Sequence, residues 1–153
     1  MKLAEALLER KNIKQRINAL TKRLVDDVLV QEGDKPAENP AETIQEINQL
    51  IDDYYRLIVQ INATNAKAVM PDGKTIMEAI AERDMLSLKH SILNNAASAA
   101  SSVRDRFSRN EIRYVATVNI AEIRKAADNV AKELRELDAK IQAANWTVEL
   151  QNI

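Results

Sequence analysis

Cysteine is absent from this chain of 153 residues, histidine occurs once, glycine twice and proline three times. Without thiols there is no disulfide framework, no zinc–thiolate or iron–sulfur site and no cysteine nucleophile, and a reducing cytoplasm is the expected compartment. No sign of charge dominates: 22 Lys and Arg stand against 23 Asp and Glu, for a net charge of -1. Interleaved charge of this kind suits solvated helix faces and exerts no global pull on nucleic acid or anionic lipid. Long apolar runs are missing too. The longest uncharged stretch, Ser91 to Val103, is rich in Ser, Asn and Ala and is too short and polar to cross a bilayer. Met1-Lys2-Leu3-Ala4-Glu5 brings in charge at once, which does not read as a signal peptide. A soluble protein with no membrane partner and no cofactor is expected, in one domain, 1–153, whose core is large enough to do without staples.

What the chain does have is unbroken helical patterning. Gly33, Pro36, Pro40, Pro71 and Gly73 fall in two short stretches, and the remaining segments carry apolar residues at steps of three and four. Helices are expected at about 2–28, 40–67, 76–106 and 120–145. In the first, Ile13, Ile17, Leu20 and Leu24 form the seam, with Leu3 and Leu7 before it. Asn39-Pro40-Ala41-Glu42 reads as a helix start, with Asn39 as cap and Pro40 in the first turn, where its missing donor costs nothing. The second helix carries the cleanest rhythm, Ile44, Ile47, Ile51, Tyr54, Ile58 and Ile61, widened by Leu50 and Leu57. So broad a stripe implies more than one neighbour. Pro71-Asp72-Gly73 is a turn by its chemistry, and Val69-Met70 and Thr75-Ile76 on either side can pair as a very short hairpin. The third helix is apolar on more than one face and is expected to be the most buried, at least in its second half. From Ile112 to Val118 the β-branched and aromatic residues favour an extended segment. Asn119 caps the fourth helix, whose seam runs Ile123, Ala127, Val130, Leu134, Leu137, Ile141 and Ala144. The tail from Trp146 on is expected to be irregular, anchored by Trp146, Val148 and Leu150. The fold class is therefore all-α: an up-down-up-down bundle of four long helices with coiled-coil-like packing and minor β segments near 69–76 and 112–118.

Three constellations bear on chemistry. A di-metal centre in a bundle needs Glu-x-x-His pairs on two helices, and the single histidine, His90, has Ser87 three positions before it, so that centre is excluded. His90 reads as a helix-surface residue. Glu133, Glu136 and Asp138, with Asp52 and Asp53, raise a magnesium-dependent nucleotide pyrophosphohydrolase, whose carboxylates would hold the metal on the substrate phosphates. The paired acidic signature of such enzymes is incomplete here, and the residues flank apolar seams as solvated positions do. The third is Arg104, Arg106, Arg109 and Arg113 interleaved with Phe107 and Tyr114, the composition by which anions or single-stranded nucleic acid are bound. In an up-down-up-down bundle the same stretch meets Glu32, Asp34, Glu38, Glu42 and Glu46, and ion pairs absorb its charge. An interface is the preferred reading of the cluster.

The stretches MKLAEALLER, LVQEG with PAENP, DGKTIMEAIAERD, RDRFSRNEIR and ELRELDAKIQAANWT together resemble a small uncharacterised bacterial family sometimes labelled septicolysin-like. The resemblance covers nearly the whole chain and implies a cytoplasmic helical protein without known chemistry. A cholesterol-binding toxin is β-rich and carries a cysteine in a tryptophan-rich loop, whereas this chain has no cysteine and one tryptophan, so pore formation is not expected. The reading that remains is a non-enzymatic interaction protein that forms a homo-oligomer through its second and third helices. Ile51, Ile58, Leu88 and Ile92 are the positions expected to be covered in that oligomer.

Overall fold

The computed structural model describes residues 1–102, 112 and 114–152. Among these residues the fold is all-α, a helical bundle of four helices: α1 (Leu3–Asp27), α2 (Pro40–Lys67), α3 (Ile76–Ser101) and α4 (Ile120–Thr147). They group into two compact units, one of Met1–Ile76 with Ala143–Ile153 and the other of Met77–Gln142.

In the first unit α1 and α2 run antiparallel, as their ion pairs show: Arg16 meets Glu46 at 2.5 Å and Arg23 meets Glu38 at 3.1 Å, so partners descend one helix as they climb the other. The seam of α1 is stricter than its large residues suggest. Ala6, Ile13, Leu20 and Asp27 are buried at seven-residue intervals. Asp27 is the odd member, and its carboxylate accepts the Ala37 N–H at 2.9 Å, tying the loop back onto the helix end. Gly33, at φ +91°, lies in this loop where an L side chain is disfavoured.

Local chemistry sets the start of α2. Asn39 accepts the Ala41 N–H at 3.0 Å and donates its side-chain amide to Glu42 at 3.2 Å, while Pro40 occupies the first turn. The helix ends in the expected tight hairpin. Met70 N–H donates to the Lys74 carbonyl at 2.7 Å and Val69 bridges Thr75. Asp72 accepts the Lys74 N–H at 3.3 Å, and Gly73 takes φ +87°. Met70 and Ile76 are buried beneath the turn.

The N-terminus and the tail close the unit. Leu3 N–H donates to the Val148 carbonyl and Leu150 N–H to the Met1 carbonyl, both at 2.9 Å, forming an antiparallel bridge between Lys2 and Glu149. Gln151 N–H reaches the Thr64 hydroxyl at 3.0 Å, and that hydroxyl donates to the Gln60 carbonyl at 2.7 Å. Thr64 is fully buried, as are Leu3, Ile61 and Ile76. Burying each of the three apolar side chains contributes about 1.5–3 kcal/mol. Of the anchors expected in the tail, Val148 and Leu150 are half-buried, while Trp146 lies within α4 and is exposed.

In the second unit α3 and α4 are antiparallel: Arg83 lies 3.8 Å from Asp138, and Arg124 donates to the Ser101 hydroxyl at 3.2 Å. Asn119 caps α4 by accepting the Glu122 N–H at 3.2 Å. Ala127, Val130, Leu137 and Ile141 are buried on the expected seam.

Two expectations need correction. Ile112 and residues 114–118, the described part of the extended segment, form no strand or bridge, and Ile112, Tyr114 and Val115 are strongly exposed. β-Branched residues make a strand only against a partner, and these have none among the described residues. Nor is α3 the most buried helix: Met85, Leu88 and Ile92 are 61%, 54% and 58% exposed. The stretch 103–106, expected to end this helix, lies outside the described residues.

Candidate functional site

The arginine cluster that stands out in the sequence, Arg104, Arg106, Arg109 and Arg113, lies outside the described residues. Its expected acidic counterparts are described. Glu46 and Glu38 are paired with Arg16 and Arg23 of α1, so at least these two carboxylates have partners close by in the chain.

Three of the five carboxylates named for metal-dependent hydrolysis are also paired with cations. Asp53 accepts from Arg56 one turn on. Glu136 lies 3.9 Å from Lys132, and Asp138 lies 3.8 Å from Arg83. Among the described residues no group of three or more His, Asp or Glu side chains is arranged to hold a metal ion. His90 is half-buried on α3, with the Asn94 amide 3.2 Å from its ring one turn on.

One open groove of about 350 Å³ lies between α3 and α4, lined by Arg83, Asp84, Ser87, Leu134, Arg135 and Asp138. Sequence reasoning did not foresee it, although Asp138 had drawn attention as an acid. The groove holds two arginines and two aspartates, and Arg83 is shared between Asp84 at 3.0 Å and Asp138. Such a balanced set offers a phosphate no net positive field, and ion pairs this exposed contribute about 0–1 kcal/mol each. The groove therefore reads as the ordinary polar flank of a helix pair.

Charge perturbation is resolved elsewhere, at Glu149. The Lys2 ammonium, 2.6 Å away, and the N-terminal ammonium, 3.3 Å away, hold its carboxyl below its ordinary value of 4.5. The pair is exposed and joins the two ends of the chain, which makes it a structural clasp rather than an acid–base group.

What the described surface does offer is apolar. With 3.6 residues per turn, the buried residues of α2, Thr43, Leu57, Ile61 and Thr64, share one side of the helix. Ile44, Ile51 and Tyr55 lie roughly a third of a turn around from them, 45%, 48% and 67% exposed, with half-buried Ile47 and Ile58 between. The apolar sector of α2 is thus about twice as wide as the part its own unit buries. On α3 the packed side carries Ala79 and Ala97 with half-buried Leu86 and Leu93. Met85, Leu88 and Ile92 look out from nearly the opposite side.

A family model described as a family of unknown function, DUF6847, matches residues 10–150. The chain belongs to the DUF6847 family. It is similar to a solved structure described as a functionally unknown conserved protein from Corynebacterium diphtheriae, with 44% identity over 99% of both chains and a TM-score of 0.92. No curated protein matches it. The DUF6847 assignment agrees with the expectation of a family without known chemistry, while the septicolysin-like label finds no support in either comparison. Nothing in the family or in the solved relative points to an enzyme, and among the described residues no helix of this DUF6847 chain is long and apolar enough to cross a membrane.

Proposed function

We propose that the chain is a non-enzymatic interaction protein that forms a homo-oligomer in the cytoplasm and works as a helical scaffold. The observation that carries this reading is the apolar surplus on α2 and α3. Ile44, Ile51 and Tyr55 on one helix, and Met85, Leu88 and Ile92 on the other, are exposed in helical register rather than scattered. Exposed apolar residues dispersed singly are normal on a soluble protein, but aligned stripes mark surfaces that associate. The absence of cysteine fits a reducing compartment. The septicolysin-like label would add no activity to this reading. Light scattering at micromolar concentration is expected to return a multiple of the 17.2 kDa chain mass, and a value near 17.2 kDa would reject the proposal.

A second reading rests on Arg104, Arg106, Arg109 and Arg113, with Tyr114 beside them 90% exposed and open to stacking. This cluster would bind an anion or single-stranded nucleic acid. Retention of a labelled oligonucleotide that weakens steeply with salt would favour it, because each phosphate contact releases counterions.

A further inference from the structure

On the outward side of α3 the exposed residues form a complete heptad seam. Ala81, Met85, Leu88, Ile92, Asn95 and Ala99 follow one another at steps of four, three, four, three and four, and all are exposed. The packed side of the same helix is already occupied by α4. A helix with two apolar seams has one more than its own unit uses.

We infer that this seam pairs with the same seam of a second copy of the chain, in parallel, across a two-fold axis along α3. The inference rests on the self-association proposed above and adds the surface and its direction. In heptad terms Met85, Ile92 and Ala99 fall at a, and Ala81, Leu88 and Asn95 at d. At the centre this sets β-branched Ile92 at a beside Leu88 at d, the arrangement that favours two parallel strands. In parallel register each layer meets its own kind: Ala81 meets Ala81, Leu88 meets Leu88, and Asn95 faces the one side chain that satisfies it, another Asn95.

An antiparallel pairing centred on residue 90 is less favourable in two places. It buries Asn95 against Met85, leaving the amide without a polar partner, and it sets Lys89 across from Lys89. The parallel arrangement instead brings Asp84, at g, toward Lys89, at the following e position of the partner helix, twice per dimer. Opposite charges then flank the seam where the antiparallel form opposes like ones. Covering the seam on both copies removes on the order of 1,000 Å² from water, the lower edge of a specific interface.

The absence of cysteine makes the test direct, because one introduced thiol reports on one position. In an Ala81→Cys variant, parallel pairing brings the two d-position thiols within disulfide range, and mild oxidation is expected to give a covalent dimer. Antiparallel pairing holds them about 27 Å apart, eighteen residues at 1.5 Å each, and gives none. Adding Leu88→Glu and Ile92→Glu is expected to abolish the cross-link and to weaken self-association more than about 100-fold, two anchors being lost at the centre. These side chains are exposed in the single chain, so the helical circular dichroism of the variant should be unchanged. A chain that scatters as a multimer yet forms no cross-link at position 81, or keeps its cross-link with both glutamates in place, overturns this inference and leaves self-association standing. A parent chain that is monomeric by light scattering removes both.

Discussion

Thr64 is the point at which the C-terminal tail is fastened to α2, and its replacement by valine isolates the strength of that fastening. The side chain is fully buried; its hydroxyl donates to the Gln60 carbonyl at 2.7 Å and accepts the Gln151 N–H at 3.0 Å. Valine keeps the shape and the β-branch but offers neither bond. The Gln60 carbonyl retains a second lone pair within the helix, so its loss is small. Gln151 N–H is different, because it sits half-buried with no other acceptor among the described residues, and stranding such a donor costs about 1–3 kcal/mol. The extra buried methyl recovers roughly 0.8 kcal/mol of that. A net loss of about 1 kcal/mol follows, or roughly 2–4 °C in Tm for a chain of this size. Thermal unfolding followed by circular dichroism measures the loss, and amide exchange at Gln151 locates it. Thr64→Ser is the control: it keeps both bonds, loses one methyl, and should leave Gln151 protected. A valine variant as stable as the parent, with Gln151 exchanging at the parental rate, would show that the tail is held by something other than this hydroxyl.

Two further outcomes follow from side chains that tie distant segments together. Lys2 and the N-terminal ammonium depress the folded-state pKa of Glu149, so the stability it contributes is complete above the unfolded value near 4.5 and is lost as pH falls through the lower folded value. The Tm gap between the parent and Glu149→Gln should therefore be widest at neutral pH and shrink as pH falls below 4.5 toward the depressed folded value, and a gap independent of pH would refute the assignment. Asp27→Ala removes the acceptor for Ala37 N–H and should cost about 1 kcal/mol, because Ala37 is exposed and water replaces part of the bond. Asp27→Asn keeps an oxygen there and should cost less in the same denaturant titration.

Legibility in the sequence tracks how local the deciding chemistry is. The start of α2 and the 71–73 turn were readable because Asn39, Pro40, Asp72 and Gly73 act on backbone within three residues of themselves. The clasp between Lys2 and Glu149 and the bond from Gln151 to Thr64 were not, since their partners stand far apart in the chain and neither has a periodic signature. Thr64 had a faint one: it falls seven residues after Leu57 in the buried register, where a polar residue calls for a partner. Asp27 sits likewise in the buried seam of α1, seven residues after Leu20. Val69 and Thr75 pair as the turn between them suggested, whereas Ile112 and 114–118 carry β-forming residues without a second strand among the described residues to use them.

α3 shows a different kind of blindness, one of ambiguity rather than distance. Its apolar residues wrap the helix, and in the sequence that reads as a rod buried on all sides. The same residues separate into two stripes, Ile76, Ala79, Leu86, Leu93 and Ala97 against Ala81, Met85, Leu88, Ile92 and Ala99, and periodicity alone gives no reason to prefer either as the one α4 takes. Packing decides it. Once α4 occupies the first stripe, the second is left with Asn95 at a core position and opposite charges at Asp84 and Lys89 beside it, an arrangement that a paired face can use. A helix turned outward at random would retain neither the unbroken four-three spacing nor a single polar layer within it. The outward stripe of α3 is therefore the surface we propose to meet its own copy.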